Sequence, residues 1–388
     1  MTVRTLRTLA TIALGLSGLV VGAMNSFVAS ATTPSLQATQ ILTGSSLHHT
    51  YTTAGSTVSH TETLSDPDDI SRSDNDLFVG FQNGVGPQGE ASSDGNRDST
   101  VLELTLSGTV VAQWDVMGKT DGVTVDPGLG VLATVNEDAN SSLYLINPSA
   151  PASSAVTHYA YSEALPHNGG TDAISIDHGQ ILISASAPGT SGGAAPQPTY
   201  PAVYTVTLDA STKVATVTPL FYDESSATVA NVGQSKNGHR TKLALTDPDS
   251  NEIVPFGGRF GGDFMLTSQG DEEQIYVSAP GTSHQSLSVL SLGQSVDDTA
   301  WPTDSSGSLF ATDSTNDAVD LITGSFTVGQ PVVAVTPCGA NGAPATCPAA
   351  GYPANYLGTM NEHTGEITRV TVAGAAFVPQ GGLAFVAK

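Results

Sequence analysis

Apolar and polar positions alternate in short runs along most of the chain. Runs of β-branched and aliphatic residues at 101–106, 143–146, 203–208 and 287–292 are separated by clusters of Gly, Pro, Asn and Asp. No long segment carries apolar residues at i, i+3, i+4 and i+7. The pattern therefore predicts many short strands and almost no helix.

The runs recur as a unit. Residues 120–135 read TDGVTVDPGLGVLATV, 171–186 read TDAISIDHGQILISAS, 262–278 read GDFMLTSQGDEEQIYVS and 297–313 read DDTAWPTDSSGSLFATD, with a looser copy, DDISRSDNDLFVG, at 68–80. Each copy has an Asp, a short apolar strand, a tight turn and a second apolar strand. The opening aspartates Asp69, Asp121, Asp172, Asp263 and Asp298 lie 52, 51, 91 and 35 residues apart. A period near 50 suits a four-stranded unit that cannot bury both faces alone, so copies stack around an axis. The long third interval holds an insertion. The last segment, 379–388, reads as the two inner strands of a unit that stops, and 47–64 offers two strands with no inner partner. Pairing them makes one composite unit and removes the open edges. The expected fold is all-β, a six-bladed propeller forming one domain over 32–388. A seventh blade arises if 241–258 opens its own unit.

The run D-x-[VI]-x-[VI]-D followed by G-x-[VI]-L resembles the inner strands of NHL, TolB-like and gluconolactonase (senescence-marker-protein) propellers. That resemblance covers most of the chain at the level of architecture. It implies that each opening Asp starts the strand nearest the axis. The first turn, at 126–130, 177–180 and 268–273, then lies on the far face. The loops after the second strand, at 82–99, 136–142, 187–201 and 279–285, return to the mouth. Long loops gathered on one face are where sites are usually built. Five aspartates at that mouth form a collar for a hard cation or cationic ligand. The competing reading has them bonding local backbone N–H groups.

Three segments place Asp or Asn at alternate positions: Asp94-Asn96-Asp98, Asn136-Asp138-Asn140 and Asp247-Asp249-Asn251. Such spacing aims several oxygens at one point, as in the first half of a calcium loop. It is also ordinary turn chemistry. Lys236, His239, Arg240 and Lys242 form a basic knot that could grip an anion on a ligand or tie its loop to acidic neighbours. No nucleophile elbow, zincin pattern or phosphate loop is present.

The ends and the composition add context. Arg4 and Arg7, an apolar run from Leu9 to Met24 and Ala29-Ser30-Ala31 read as an export signal over 1–31. No later stretch is apolar enough for a membrane span. Without the signal, ten basic residues face 36 acidic ones, a net charge of about −26. Such a chain repels nucleic acid and anionic lipid. Cys338 and Cys347 are the only cysteines. In an exported chain they predict a loop-closing disulfide, worth about 2.5–3 kcal/mol in the chain-entropy model. These features describe a secreted monomer, a non-catalytic scaffold that binds a small molecule, peptide or glycan (or a protein) on an acidic, loop-rich face. The alternative is a calcium-dependent, lactonase- or esterase-like hydrolase, with calcium as the possible cofactor.

Overall fold

A computed structural model describes residues 36–136, 141–189, 199–344, 347 and 353–388. The segment 1–31 lies outside the described residues. So do Asp138 and Asn140.

The chain is all-β; among the described residues there are one four-residue α-turn (Ala152–Ala155) and two short 3-10 turns. Its sheets form a propeller-like arrangement. Pro67–Ser73, Asp76–Phe81, Asp98–Thr105 and Val110–Met117 make a four-stranded antiparallel sheet. Lys119–Asp126, Gly130–Asn136, Ser142–Ile146 and Val156–Tyr161 follow in the same up-and-down order. Ile174–Asp177, Gln180–Ser184, Pro201–Asp209 and Val214–Tyr222 repeat it. A two-residue parallel pairing between Val156–Tyr161 and Val214–Tyr222 merges these last two runs into one eight-stranded sheet. Pro248–Ile253, Phe264–Ser268, Glu273–Ser278 and Ser286–Ser291 come next. Ser226–Val229 and Arg240–Lys242 extend their outer edge.

The last two sheets share the chain in an interleaved order. Val296–Ala300 pairs with Val332–Val335, which continues to Tyr356–Met360 and Ile367–Arg369. Between the first two of these strands the chain leaves to lay down Ser308–Asp313 and Ala318–Thr323 in the terminal sheet. That sheet is completed by Leu383–Val386 on its inner side and Leu36–Thr43 on its outer side, with Val372–Gly374 beyond. The first and last described strands thus sit in one sheet.

The core lies between sheets. Leu132 and Leu143 pack with Ile183 and Tyr204. Leu182 and Phe221 pack with Phe264 and Ile275. Met265 and Tyr276 meet Val333 and Met360. Leu357 and Ala334 meet Leu309 and Phe385. Phe310 and Val319 meet Leu77 and Leu102. Phe78 and Trp114 meet Val131 and Tyr144. Each cluster joins one sheet to the next, and the series returns to its start. No sheet can bury both faces without two neighbours. Each large apolar side chain so placed contributes about 1.5–3 kcal/mol.

Several expectations are corrected. The copy at 262–278 forms the second and third strands of its sheet, not the first and second. The inner strand is Pro248–Ile253, within the segment that would have opened a seventh unit. Its sequence, PDSNEI, is polar from Asp249 to Glu252, where it lines the axis, so it carries no apolar alternation. The turn at 268–273 therefore joins strands two and three, and 279–285 follows the third strand. The copy at 297–313 straddles two sheets. Only one strand, Leu383–Val386, forms within 379–388. The strands at 47–64 become a separate hairpin, His48–Thr52 with Ser59–Thr63, and the closing strand is Leu36–Thr43. Cys338 and Cys347 form the expected disulfide, with Cα atoms 5.6 Å apart. Among the described residues no helix is long and apolar enough to cross a membrane.

One buried charge stands out in the terminal sheet. Asp320 on Ala318–Thr323 is 1% exposed, and neither carboxylate oxygen has a hydrogen-bond partner among the described residues. Burial, reinforced by Asp313, pushes its carboxyl up to about 7. Asp320→Asn should raise stability by about 1–2 kcal/mol at pH 8. It should change little at pH 5, where the native carboxyl is already protonated. Denaturant unfolding at both pH values measures the difference.

Candidate functional site: an acidic axial channel

The inner strands Pro67–Ser73, Lys119–Asp126, Ile174–Asp177, Pro248–Ile253, Val296–Ala300 and Leu383–Val386 neighbour one another in that cyclic order. They line a cavity of about 280 Å³. At four of them the register to the second strand slips near the start, between Pro67 and Ile70, Thr120 and Val123, Pro248 and Asn251, and Val296 and Thr299. Such a bulge leaves residues unpaired and re-aims their side chains. The unpaired positions are Asp68-Asp69, Asp121-Gly122, Asp249-Ser250 and Asp297-Asp298. Asp172-Ala173 takes the same place before Ile174, where Ala173 N–H donates to Ser184 Oγ at 3.0 Å. Gly381-Gly382 takes it before Leu383.

The first residue of each pair builds a ring: Asp68, Asp121, Asp172, Asp249 and Asp297, with Gly381 in the remaining place. All line the channel. The second position is small where neighbours crowd it. A Cβ at Gly122 would lie 2.8 Å from Thr134 Oγ1 and 2.9 Å from Ala173 Cα. Where it is Asp, the carboxylate ties strands together. Asp69 accepts from Ile70 N–H at 2.7 Å and from Val123 N–H of the neighbouring inner strand at 2.6 Å. Asp298 accepts from Thr299 N–H at 2.7 Å and from Leu383 N–H at 2.6 Å. Glu252 also lines the channel, near enough to Asp69 and Asp298 to feel both charges.

Charge is poorly balanced here. Asp121 is the best-satisfied acid, bonded by Lys119 Nζ at 2.5 Å, Gln82 Nε2 at 2.7 Å and Asn136 Nδ2 at 2.8 Å. Gln82 Nε2 also donates to Asp68 at 2.9 Å. Burial would lower the Lys119 ammonium, but Asp121 and Asp68 hold it up. The other acids are pushed toward protonation, by burial first and by each other second. Asp68 and Asp172 rise well above the usual range beside Asp121, and Asp249 beside Asp297. Asp69 rises to about 8, with Asp298 as its main charged neighbour. Asp297 rises to about 7 and Asp298 to about 6, both restrained by backbone N–H donors. Glu252 rises well above the ordinary range.

The structure gathers Asp69, Asp121, Asp172 and Asp298 on this channel and leaves Asp263 off it. Asp263 sits at the turn into Phe264–Ser268, at the other end of its inner strand, because the repeat in that sheet begins one strand earlier. Asp249 takes the place expected of it. The triplet Asp247-Asp249-Asn251 is therefore not a loop: Asp249 and Asn251 lie on the inner strand and line the channel, while Asp247 flanks it beside Asp271. In Asp94-Asn96-Asp98 the central amide is spent on backbone. Asn96 Nδ2 donates to Asp98 O at 2.9 Å, and Asp98 N–H donates to Asn96 Oδ1 at 2.8 Å. Asn136 braces Asp121. The basic knot lies on the outer sheet edge, where Lys242 Nζ meets Glu224 at 3.1 Å and Arg240 Nε donates to Ser226 Oγ at 3.1 Å. Lys236 and His239 are exposed beside it, and none of the four lines the channel. Sequence reasoning missed Asp68, Asp297 and Glu252. The Asp-Asp pairs were visible, but only the bulge says which member faces the axis.

Among the described residues, no group of three or more His, Cys, Asp or Glu side chains converges closely enough to hold a metal ion. The carboxylates are spread around and along the wall rather than aimed at one point.

No family model matches the chain, and no curated protein matches it by sequence. Among solved structures it is similar to a protein of unknown function from Bacteroides caccae, at 7% identity and a TM-score of 0.45. That match covers 88% of this chain and 99% of the other. It is also similar to the periplasmic gluconolactonase of Pseudomonas aeruginosa, at 10% identity and a TM-score of 0.43, covering 84% of this chain and 90% of the other. A protein of unknown function from Bacteroides thetaiotaomicron matches at 10% identity and a TM-score of 0.43, covering 90% of this chain and 70% of the other. These are likenesses of fold alone.

Proposed function

We propose that the chain is an exported six-bladed propeller, read from its inner strands, that binds a small cationic ligand in its axial channel without transforming it. The observation behind this reading is the ring of Asp68, Asp121, Asp172, Asp249 and Asp297, with Lys119 as its close basic neighbour. Carboxylates forced together in a low-dielectric wall are stabilised by incoming positive charge. Their spread favours an organic cation over a bare ion.

Calorimetric titration of the mature chain at pH 7 with cyclohexylammonium, against neutral cyclohexanol, tests this. The amine should bind and the alcohol should not, and Asp249→Asn should weaken binding at least tenfold. Equal behaviour of the two probes would sink the reading.

A calcium-dependent lactonase or esterase is the second reading. It is supported by the oxygen donors of Asn251, Glu252 and Asp298 within one channel. It requires lactone or aryl-ester turnover that a chelator abolishes, whereas the scaffold reading requires none.

A further inference from the structure

The channel wall holds polar groups that the carboxylate ring does not use. Asn251 is 8% exposed, and both its Oδ1 and its Nδ2 lack a hydrogen-bond partner among the described residues. Ser175, on the neighbouring inner strand Ile174–Asp177, is 6% exposed, and its Oγ is likewise unpartnered. Glu252, through its Oε1, is a third such residue. All three residues line the same cavity as the aspartates. Buried polar atoms in folded proteins are almost always paired. Unpaired polar atoms on three residues of one cavity wall mark a surface that awaits a complement.

We propose that this wall is a hydrogen-bonding subsite, and that the ligand is a hydroxylated amine, of the amino-sugar class, whose ammonium faces the aspartate ring. The inference rests on the cation reading above and adds the chemistry of the rest of the ligand. Asn251 offers an accepting Oδ1 and a donating Nδ2, and Ser175 can serve as either. A metal ion donates nothing, and a plain amine accepts nothing once protonated. Hydroxyl groups do both, so they match the wall where those ligands do not. The cavity, about 280 Å³, sits just below the roughly 300 Å³ lower end of small-ligand pockets. That size suits a single ring rather than a chain.

The test is calorimetric titration of the mature chain at pH 7, in an amine-free buffer, with glucosamine, cyclohexylammonium and glucose. Glucosamine should bind at least tenfold more tightly than cyclohexylammonium, and glucose more weakly than both. Ser175→Ala and Asn251→Leu should each cut that advantage to under threefold while leaving cyclohexylammonium affinity unchanged. The serine variant carries the test if the asparagine variant fails to fold. Equal affinity for the two amines in the native chain, or an undiminished advantage in Ser175→Ala, would overturn the subsite while leaving the cation reading intact. Failure of both amines to bind would overturn the cation reading and the subsite with it.

Discussion

The protein should melt at a higher temperature at pH 4.5 than at pH 8, by roughly 5–10 °C. The sign follows from carboxyls whose folded values are raised. Asp69 stands at about 8, Asp297 at about 7 and Asp298 at about 6 in the channel. Asp320 stands at about 7 in the terminal sheet, Glu273 at about 7 and Asp247 at about 6. In the unfolded chain these groups titrate near 4. The folded state therefore holds more protons between pH 4 and pH 8. Its stability is fully present below about pH 4 and drains away as pH rises through each folded value. Exposed Asp209 and Asp304, held low by Ser and Thr donors, act in the opposite sense, only at more acidic pH. Because the raised groups repel one another, their contributions do not add in full; a net of roughly 4–8 kcal/mol gives the stated range. A melting temperature that is flat or rises between pH 4.5 and 8 would contradict the electrostatics of the channel. An ammonium ligand that binds the ring should raise the pH 8 value most and so flatten the profile.

The second large effect concerns closure. A chain beginning at Gly44, lacking Leu36–Thr43, should lose its cooperative melt or fall by at least about 10 °C. The missing strand pairs along Ala318–Thr323 and buries Leu36, Ala38 and Leu42. The two leucines contribute about 1.5–3 kcal/mol each, Ala38 roughly 1 kcal/mol, and the ladder bonds about 1 kcal/mol each. Its loss also bares a sheet edge. Deleting the hairpin at 48–63 is the control and should cost far less, since that hairpin pairs with no ring sheet. A truncated chain that melts within about 2 °C of the full one would show that the ring closes by other means.

The alternation of apolar residues made the all-β class and the repeat legible, because those features depend on period alone. Three of the five proposed copies, beginning at Asp69, Asp121 and Asp172, frame their sheets correctly. The frame fails where the inner strand is polar. PDSNEI at 248–253 faces charge rather than core, so the eye moves on to the apolar FMLTS and IYVS that follow. It fails again at 297–313, where two good strands in succession belong to different sheets. Periodicity reports which residues are buried, not which strand they pair with. At the site, an Asp at each opening was readable. The choice between Asp68 and Asp69, or Asp297 and Asp298, was not, since a one-residue bulge exchanges the side chain that faces the axis. The unpartnered amide of Asn251 has no sequence signature: a partner's absence is a property of packing.

The exchange of strands between the last two sheets carries a consequence for biogenesis. Val296–Ala300 must wait for Val332–Val335, and Ser308–Asp313 must wait for Leu383–Val386, more than seventy residues later. The terminal sheet thus lacks its inner strand until Leu383–Val386 has been made, although Ser308–Asp313 already pairs with Ala318–Thr323. Closure is then a late event governed by long-range contacts, intrinsically slow and exposed to sticking with other nascent chains. A stop codon before Leu383 would leave Ser308–Asp313 without its inner neighbour and the axis open.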